Sequence, residues 1–143
     1  MLKVAIINGP NLNLTGTREP ELYGKQNFDD LMLRLKNHHS NIEFSYFQSN
    51  VEGELINELH YKGFTYDGIV LNAGAYTHTS IAISDAIKAI KTPVIEVHMS
   101  NILNRETFRH TSLIGVNCIG SMMGFGLKSY ELAVTYFADS MKL

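Results

Sequence analysis

Residues 2–24, LKVAIINGPNLNLTGTREPELYG, join a short apolar run to a long polar segment that is rich in turn-forming residues. The run Leu2 to Ile7 consists mainly of Val, Ile, Leu and Ala, which is typical of a strand buried on both faces of a sheet. The sixteen residues from 9 to 24 include three glycines and two prolines, and they predict a loop. In an open α/β sheet, ligands bind where such loops leave the carboxyl ends of the strands.

The rest of the chain alternates between apolar runs and amphipathic segments. Short, largely apolar runs predict further strands over residues 42–47, 68–71, 93–99 and 116–123. Apolar residues at spacings of three and four predict four helices, each with one apolar stripe. The stripes consist of Phe28, Leu31, Met32 and Leu35; of Val51, Leu55, Ile56 and Leu59; of Ile83, Ala86, Ile87 and Ile90; and of Tyr130, Ala133, Val134, Phe137 and Met141. Asn27 is the predicted cap of the first helix, and Gly63 the predicted end of the second.

These elements predict an α/β fold with a five-stranded parallel sheet and helices on both faces. Right-handed crossovers favour a doubly wound, flavodoxin-like strand order. The chain has 143 residues and neither repeats nor a linker, so we expect a single domain over residues 1–143.

Composition argues against several classes of function. The formal net charge of −2 gives no electrostatic case for nucleic-acid binding. No run approaches the roughly 20 apolar residues needed to span a membrane, and no signal peptide is predicted, so the cytoplasm is the expected compartment. The single cysteine, Cys118, cannot form an internal disulfide and is predicted to be a small buried residue.

Polar residues follow the first four predicted strands, at positions 8–13, 48–50, 72–78 and 98–101. Because the carboxyl ends of parallel strands meet at one edge of the sheet, we expect these residues to surround one cleft. Any single one of them could instead cap a helix or form a turn. Asp85, inside the third helix, is by itself typical of an exposed helical acid. Thr79 or Ser80 is the expected cap of that helix.

The fourth strand carries a more specific pattern. Alternate side chains of a strand share a face, so Glu96 and His98 point the same way about 7 Å apart along the strand. A carboxylate near an imidazole fixes its tautomer and suits a histidine that donates a proton near neutral pH. The alternative is a structural core histidine held by a local carboxylate. Beyond this strand, Arg105 and Arg109 would share one face of a helix, and the spacing leaves open which of them reaches the cleft.

The loop after the first strand lacks the motifs of a cofactor site. GxGxxG is absent because Gly9 is followed by Pro10, which has no N–H to offer a pyrophosphate, and the P-loop Lys-Ser/Thr pair is missing after Gly16. The histidines and the cysteine show no metal-ligand spacing, and there is no GxSxG nucleophile motif. No cofactor and no metal are therefore predicted.

Arg18 and Tyr23 remain as the reactive side chains of this loop. An arginine next to a phenol favours the phenolate, which is a usable base. A base on one side of a cleft and an acid, His98, on the other are what an elimination requires. A tyrosine that only packs a surface loop is the alternative. Residues 16–24 are further predicted to form a glycine-hinged lid that is mobile without ligand.

Several motifs, in order along nearly the whole chain, resemble those of type II 3-dehydroquinate dehydratases. They are GPNLNLTGTREPELYG, Gln48-Ser49-Asn50, NAGAYTHTS, EVHMSN, RETFRH and the glycine-bearing segment 120–126. The resemblance implies a cofactor-independent hydro-lyase of the shikimate pathway. It removes water from 3-dehydroquinate by anti elimination through an enolate.

The same resemblance implies roles for individual residues. Tyr23 would take the C2 proton, with Arg18 holding it as the phenolate. His98 would protonate the departing C1 hydroxyl, oriented by Glu96. Asn11 would hold a water that stabilises the enolate oxygen. The implied substrate contacts are made by Asn72, His78, Asp85, Met99, Ser100 and Arg109.

The resemblance also implies a homo-oligomer, a dodecamer built from trimers, in which the counterpart of Asp85 reaches a neighbouring subunit's site. Two residues depart from the family's common types. Ser84 replaces a frequently basic residue in the third helix, which is expected to alter subunit contacts or affinity. Met99 stands where a branched aliphatic residue is common, but its implied contact is made through the backbone. The alternative to an enzyme is a non-catalytic flavodoxin-like module that binds a small molecule without turning it over. It fits poorly, because every catalytic position is occupied.

Overall fold

The computed structural model describes residues 1–16 and 27–141. Within these ranges five strands and four α-helices follow one another: β1 (Leu2–Asn8), α1 (Phe28–His38), β2 (Ile42–Gln48), α2 (Glu52–Lys62), β3 (Gly68–Asn72), α3 (Ile81–Ala89), β4 (Val94–His98), β5 (Gly120–Met123) and α4 (Lys128–Ser140). Neighbouring strands are parallel, in the order β2-β1-β3-β4-β5. The predicted doubly wound, flavodoxin-like sheet is confirmed.

The helix boundaries follow the predicted capping residues. Asn27 caps α1 with its side chain, which accepts a hydrogen bond from the Asp30 N–H at 3.0 Å. Ser80 caps α3 in the same way, since its Oγ accepts from the Ile83 N–H at 2.9 Å. Gly63 ends α2 as predicted. Val51 belongs to the cap of α2 rather than to its apolar stripe, and it is 55% exposed.

Each face of the sheet is covered by one pair of helices. The stripes of α1 and α4 pack on the face that carries Val4 and Ile6, and those of α2 and α3 pack on the face that carries Ala5 and Ile7. Because β1 is buried on both faces, it reads as a continuous apolar run instead of an alternating one. Among the described residues, no helix combines the length and the apolar character needed to cross a membrane.

The fifth strand is shorter than the sequence predicts. Residues 116–123 were expected to be extended, but Gly115–Asn117 form a turn of 3-10 helix and β5 begins only at Gly120. The N–H groups of Asn117 and Cys118 donate back to Ile114 and Gly115, so they are unavailable to a sheet. Val116, which made this run look strand-like, is 81% exposed.

Candidate active site

A cleft opens at the carboxyl-terminal edge of the sheet, and it is lined by Pro10, Asn11, Leu12, Thr15, Asn72, Gly74, Ala75, His78, His98, Met99, Ser100, Ile102, Arg105 and Arg109. Its volume, with the open mouth included, is about 700 Å³. The side chains after β1, β3 and β4 thus meet in one place, as the strand order requires. Arg18 and Tyr23 lie outside the described residues, as do all but the first residue of the predicted lid.

Asn11 enters the cleft from a short turn after β1. Its backbone has φ 69° and ψ −3°, the left-handed conformation that asparagine tolerates better than most residues. Its N–H donates to Asn50 Oδ1 at 2.9 Å. Gln48 Nε2 donates to that same oxygen and to Gly9 O, each at 3.1 Å. The polar residues that follow β2 therefore hold the turn that presents Asn11.

Gly9 lets the loops after β1 and β3 touch. Its N–H donates to Asn72 O at 2.7 Å. A Cβ at this position would stand 2.5 Å from Ala73 O, closer than any side chain permits. Any larger residue would push the two loops apart, and with them Asn11 and Asn72.

Asn72 is oriented by a buried chain of hydrogen bonds. Its Oδ1 accepts from the Gly74 N–H at 3.1 Å, and its Nδ2 donates to the Tyr130 hydroxyl at 2.8 Å. That hydroxyl donates to Asn8 Oδ1 at 2.7 Å, and Asn8 Nδ2 donates to the Tyr46 hydroxyl at 3.2 Å. Burial raises the pKa of Tyr130 well above its usual range, against the lowering effect of the bond from Asn72. Tyr130 therefore stays a protonated donor in the core.

Glu96 and His98 lie side by side on β4, with exposed fractions of 1% and 6%. His98 Nε2 is 2.8 Å from Glu96 Oε2. The two side chains lean together along the strand into a direct hydrogen bond, one of the two arrangements that their spacing allows. Because Nε2 is committed to the carboxylate, Nδ1 is the nitrogen left for a proton transfer in the cleft.

Within the described residues the Glu96 carboxylate accepts hydrogen bonds from three side chains, those of His98, Ser112 and Ser121. Ser112 Oγ donates to Oε2 at 2.5 Å, and Ser121 Oγ donates to Oε1 at 2.6 Å. Burial acts to raise the pKa of Glu96, but these hydrogen bonds together hold it below the usual range. Glu96 is therefore an anion near neutral pH, the form that accepts from the imidazole.

His78 ends the 3-10 helix Gly74–His78 and stacks on His98, with ring centroids 6.4 Å apart and planes inclined by 23°. His78 Nδ1 is 2.8 Å from Thr111 O. Since a carbonyl oxygen only accepts, Nδ1 carries the proton, and Nε2 of the neutral ring is an acceptor. His78 is thus suited to accept a hydrogen bond from a ligand hydroxyl.

Arg105 and Arg109 form a charged rim. The segment folds as two short 3-10 helices, Ile102–Asn104 and Thr107–Arg109, and both arginines line the cleft. Glu106 lies between them, with Oε2 3.1 Å from Arg109 Nε and Oε1 3.8 Å from Arg105 Nε. The hydrogen bond from Arg109 lowers the pKa of the exposed Glu106 carboxyl. Guanidinium groups at the mouth suit an anionic ligand.

The remaining predicted substrate contacts fall into two groups. Met99 and Ser100 follow β4 directly and line the cleft. Asp85 is exposed on α3 and does not line it. Within one chain, Asp85 therefore contributes nothing to this cleft.

Cys118 lies half-buried near Glu96, less buried than predicted. Burial, and secondarily the charge of Glu96, raise the pKa of its thiol to about 12, so the thiol is protonated at neutral pH and is a poor nucleophile. Across residues 1–16 and 27–141, no group of three or more His, Cys, Asp or Glu side chains is arranged to hold a metal ion.

Sequence reasoning missed Ser112, Ser121 and Tyr130 as parts of this site. Ser121 reaches Glu96 because the two residues are partners in the register of β4 and β5, which no local pattern reveals. Tyr130 was predicted as a member of an apolar stripe. One available signal was its hydroxyl, since a tyrosine buried in a core needs a hydrogen-bond partner.

The fold and the cleft define an α/β protein of the flavodoxin-like class, whose cleft is suited to a small anionic ligand and is lined by the histidine of a buried histidine–carboxylate pair. Residues 2–138 match the family model for dehydroquinase class II. The chain belongs to this family, as its motifs predicted.

Relatives resemble the chain over nearly its whole length. A 3-dehydroquinate dehydratase of Exiguobacterium sp. is 53% identical over 137 residues, covering 93% of this chain and 92% of the relative. One from Fusobacterium nucleatum is 50% identical over 145 residues, covering 96% and 97%. The crystal structure of a type II dehydroquinase from Butyrivibrio crossotus has a TM-score of 0.91 at 42% identity, covering 96% of this chain and 97% of that one.

Proposed function

We propose that this chain is a type II 3-dehydroquinate dehydratase, which converts 3-dehydroquinate to 3-dehydroshikimate in the third step of the shikimate pathway. The observation that carries the proposal is the buried Glu96–His98 pair, 2.8 Å apart, facing a cleft with Arg105 and Arg109 at its mouth. Membership of the family supports it, since relatives about half identical bear the name of this enzyme. The cytoplasm stays the predicted compartment.

The elimination breaks one C–H and one C–O bond. Tyr23, as a phenolate beside Arg18, takes the C2 proton, and the electron pair left on C2 passes to the neighbouring carbonyl oxygen as an enolate. When the enolate collapses, the C1–O bond breaks and His98 gives a proton to the hydroxyl, which leaves as water. The roles of Arg18 and Tyr23 rest on the resemblance alone, because both lie outside the described residues.

Polar groups of the cleft are suited to the other parts of the substrate. Asn11, held by its left-handed turn, is proposed to position a water at the enolate oxygen. Asn72, together with the backbone N–H groups of Met99 and Ser100 and the Ser100 hydroxyl, is proposed to bind the carboxylate and nearby oxygens. The His78 ring and Arg109 are proposed to bind ring hydroxyls.

A homo-oligomer, a dodecamer built from trimers, completes the proposal. Asp85 lies outside the cleft of its own chain and would serve that of a neighbour. Ile81 on the same helix is 68% exposed and Val116 is 81% exposed, and burying such side chains against another copy is favourable. Light scattering measures the assembly directly. A particle of 16.0 kDa, the mass of one chain, would contradict the proposal.

Turnover tests the proposed activity. The purified chain with 3-dehydroquinate should generate the ultraviolet absorbance of the conjugated enone product. His98→Ala and Tyr23→Phe should each lower kcat by about 10²–10⁴, because each removes a proton-transfer group. His60→Ala, at an exposed position of α2, is the matched control and should keep full activity.

The outcomes separate the alternatives. Binding of 3-dehydroquinate without turnover would favour a non-catalytic binding module. Turnover that survives in both His98→Ala and Tyr23→Phe would leave the activity standing and overturn the assigned acid and base.

A further inference from the structure

The anchoring of Glu96 involves two serines to which the reaction scheme assigns nothing. Both oxygens of the carboxylate are engaged: Oε2 accepts from His98 and Ser112, and Oε1 accepts from Ser121. An ionised carboxylate only accepts hydrogen bonds, so each serine is the donor in its contact. A buried carboxylate held in this way has neither a free oxygen nor freedom to rotate.

Ser121 reaches Glu96 from the neighbouring strand. It is the register partner of Glu96 across β4 and β5, and partners in a parallel pair present their side chains on the same face. Its Oγ donates a hydrogen bond to Glu96 Oε1 at 2.6 Å. The bond thus ties the edge strand to the functional pair of β4.

Ser112 is directed by a backbone contact. Its Oγ accepts from the Gly115 N–H at 3.0 Å, which orients the oxygen and leaves the single hydroxyl proton for Glu96. Gly115 itself packs tightly here, since a Cβ on it would stand 2.8 Å from Glu96 Oε1. The turn 115–117, which replaces the start of the predicted strand, is therefore what brings Ser112 and Gly115 onto the carboxylate.

We propose that Ser112 and Ser121 are positioning residues of the dehydration reaction, which keep Glu96 ionised and fixed so that it aligns His98 for proton donation. This inference rests on the proposed function for the identity of the reaction. Neither serine lines the cleft, so neither is placed to contact a substrate there. They act on the reaction only through Glu96.

The surroundings of Glu96 give the proposal a defined pH dependence. Among the described residues, the titratable groups beside it are His98 on its own strand and Cys118 in the loop before β5, and His78 stacks on His98. The Cys118 thiol stays neutral at neutral pH, because its pKa is raised to about 12. Loss of either serine removes a bond to the charged form of Glu96, so the pKa of Glu96 should rise.

The experiment measures kcat and KM for 3-dehydroquinate in Ser121→Ala, Ser112→Ala and Ser121→Thr, with Ser45→Ala on the opposite edge strand β2 as the matched control. We expect kcat to fall about tenfold in each alanine variant, the effect of losing a hydrogen bond to a charged group, while KM stays within about twofold. Ser121→Thr keeps the hydroxyl and should restore kcat. Carbon-13 NMR of labelled glutamate carboxyls should show the Glu96 pKa moving upward in the alanine variants and not in Ser45→Ala.

A double-mutant cycle distinguishes positioning from general destabilisation. In a Glu96→Ala background, adding Ser121→Ala should change kcat little, since the hydroxyl acts through the carboxylate that is already gone. Effects that multiply, or a Ser121→Ala enzyme with wild-type kcat and an unmoved Glu96 pKa, would overturn the proposal. If the wild-type chain shows no turnover, the proposed function fails, while the NMR titration still decides whether the serines hold Glu96 ionised.

Discussion

The floor and the rim of the cleft hold their charges by different means. The floor is the pair Glu96 and His98, at most 6% exposed and held by bonds of 2.5–2.8 Å. The rim is Arg105, Glu106 and Arg109, on short 3-10 turns, with nitrogen–oxygen distances of 3.1 and 3.8 Å. A buried charge must be satisfied by the protein, whereas an exposed one is satisfied by water. Changes in the floor should therefore affect stability and kcat together, and changes in the rim should affect substrate binding alone.

The largest effect is expected for Glu96→Ala. The substitution leaves the donors of His98, Ser112 and Ser121 without their acceptor in a buried site, and breaking a buried pair in this way costs about 3–5 kcal/mol of unfolding free energy. We also expect a fall in kcat, because His98 loses its orienting partner. Urea unfolding and turnover assays measure the two effects. Glu96→Gln, which keeps the shape and an acceptor oxygen, should lose less stability. A Glu96→Ala variant as stable as the wild type would contradict the idea that the floor, unlike the rim, contributes to stability.

The acid stability of the protein should depend on Glu96. Burial acts to raise its pKa in the folded state, but hydrogen bonds outweigh burial and lower it, while an unfolded glutamate has a pKa of about 4.3. Between these two pKa values the unfolded chain binds more protons, so the contribution of Glu96 is complete above the upper value and is lost as the pH falls towards the lower one. Unfolding free energies measured below about pH 5 should decline more steeply in the wild type than in Glu96→Gln. Equal slopes would show that Glu96 is not held as an anion by its partners.

The fold was predictable because the spacing of apolar residues along the sequence differs between its strands and its helices. The continuous run at the first strand, the stripes of the four helices and the caps Asn27 and Ser80 all depend on neighbours within a few residues. The fifth strand was placed too early because Val116 and Ile119 are apolar, but they are 81% and 54% exposed. An apolar run alone does not reveal that its backbone N–H groups bond within a turn.

The site was predictable only where it depends on one strand or one loop. Glu96 and His98 emerged from alternation along β4, and Asn72 from its place at a strand end. Ser121 and Tyr130 did not, since the contacts of Ser121 depend on which strands pair and those of Tyr130 on how α4 packs across the sheet. Such contacts join residues as much as 122 positions apart, as the bond from Tyr130 to Asn8 shows.

Tyr130→Phe changes a neutral buried group next to the floor and should have an intermediate effect. The change removes the Tyr130 hydroxyl, which accepts a hydrogen bond from Asn72 Nδ2 and donates one to Asn8 Oδ1 in the core. Both asparagine groups then lose this partner. Unsatisfied buried groups of this kind cost about 1–3 kcal/mol. Thermal or urea unfolding measures the loss, and KM should rise because Asn72 is less well oriented. Tyr136→Phe, which removes a 48% exposed residue's hydroxyl from the same helix, is the control. Equal stabilities of the two variants would mean that the buried chain of hydrogen bonds contributes nothing.

Glu106→Gln at the rim should have the smallest effect. Glu106 is exposed, so water replaces the lost contacts with Arg105 and Arg109, and the melting temperature should not change measurably. The guanidinium groups, freed from a competing carboxylate, should bind an anionic substrate more tightly, which lowers KM at low salt. The difference in KM from the wild type should shrink as added salt screens the charges. Glu43→Gln is the matched control, since Glu43 is also exposed and paired, with Lys3 at 3.7 Å, but lies on the opposite end of the sheet. A KM that rises, or a melting temperature that falls as it does for the floor variants, would show that Glu106 holds the arginines in place. The rim, like the floor, would then depend on contacts within the protein.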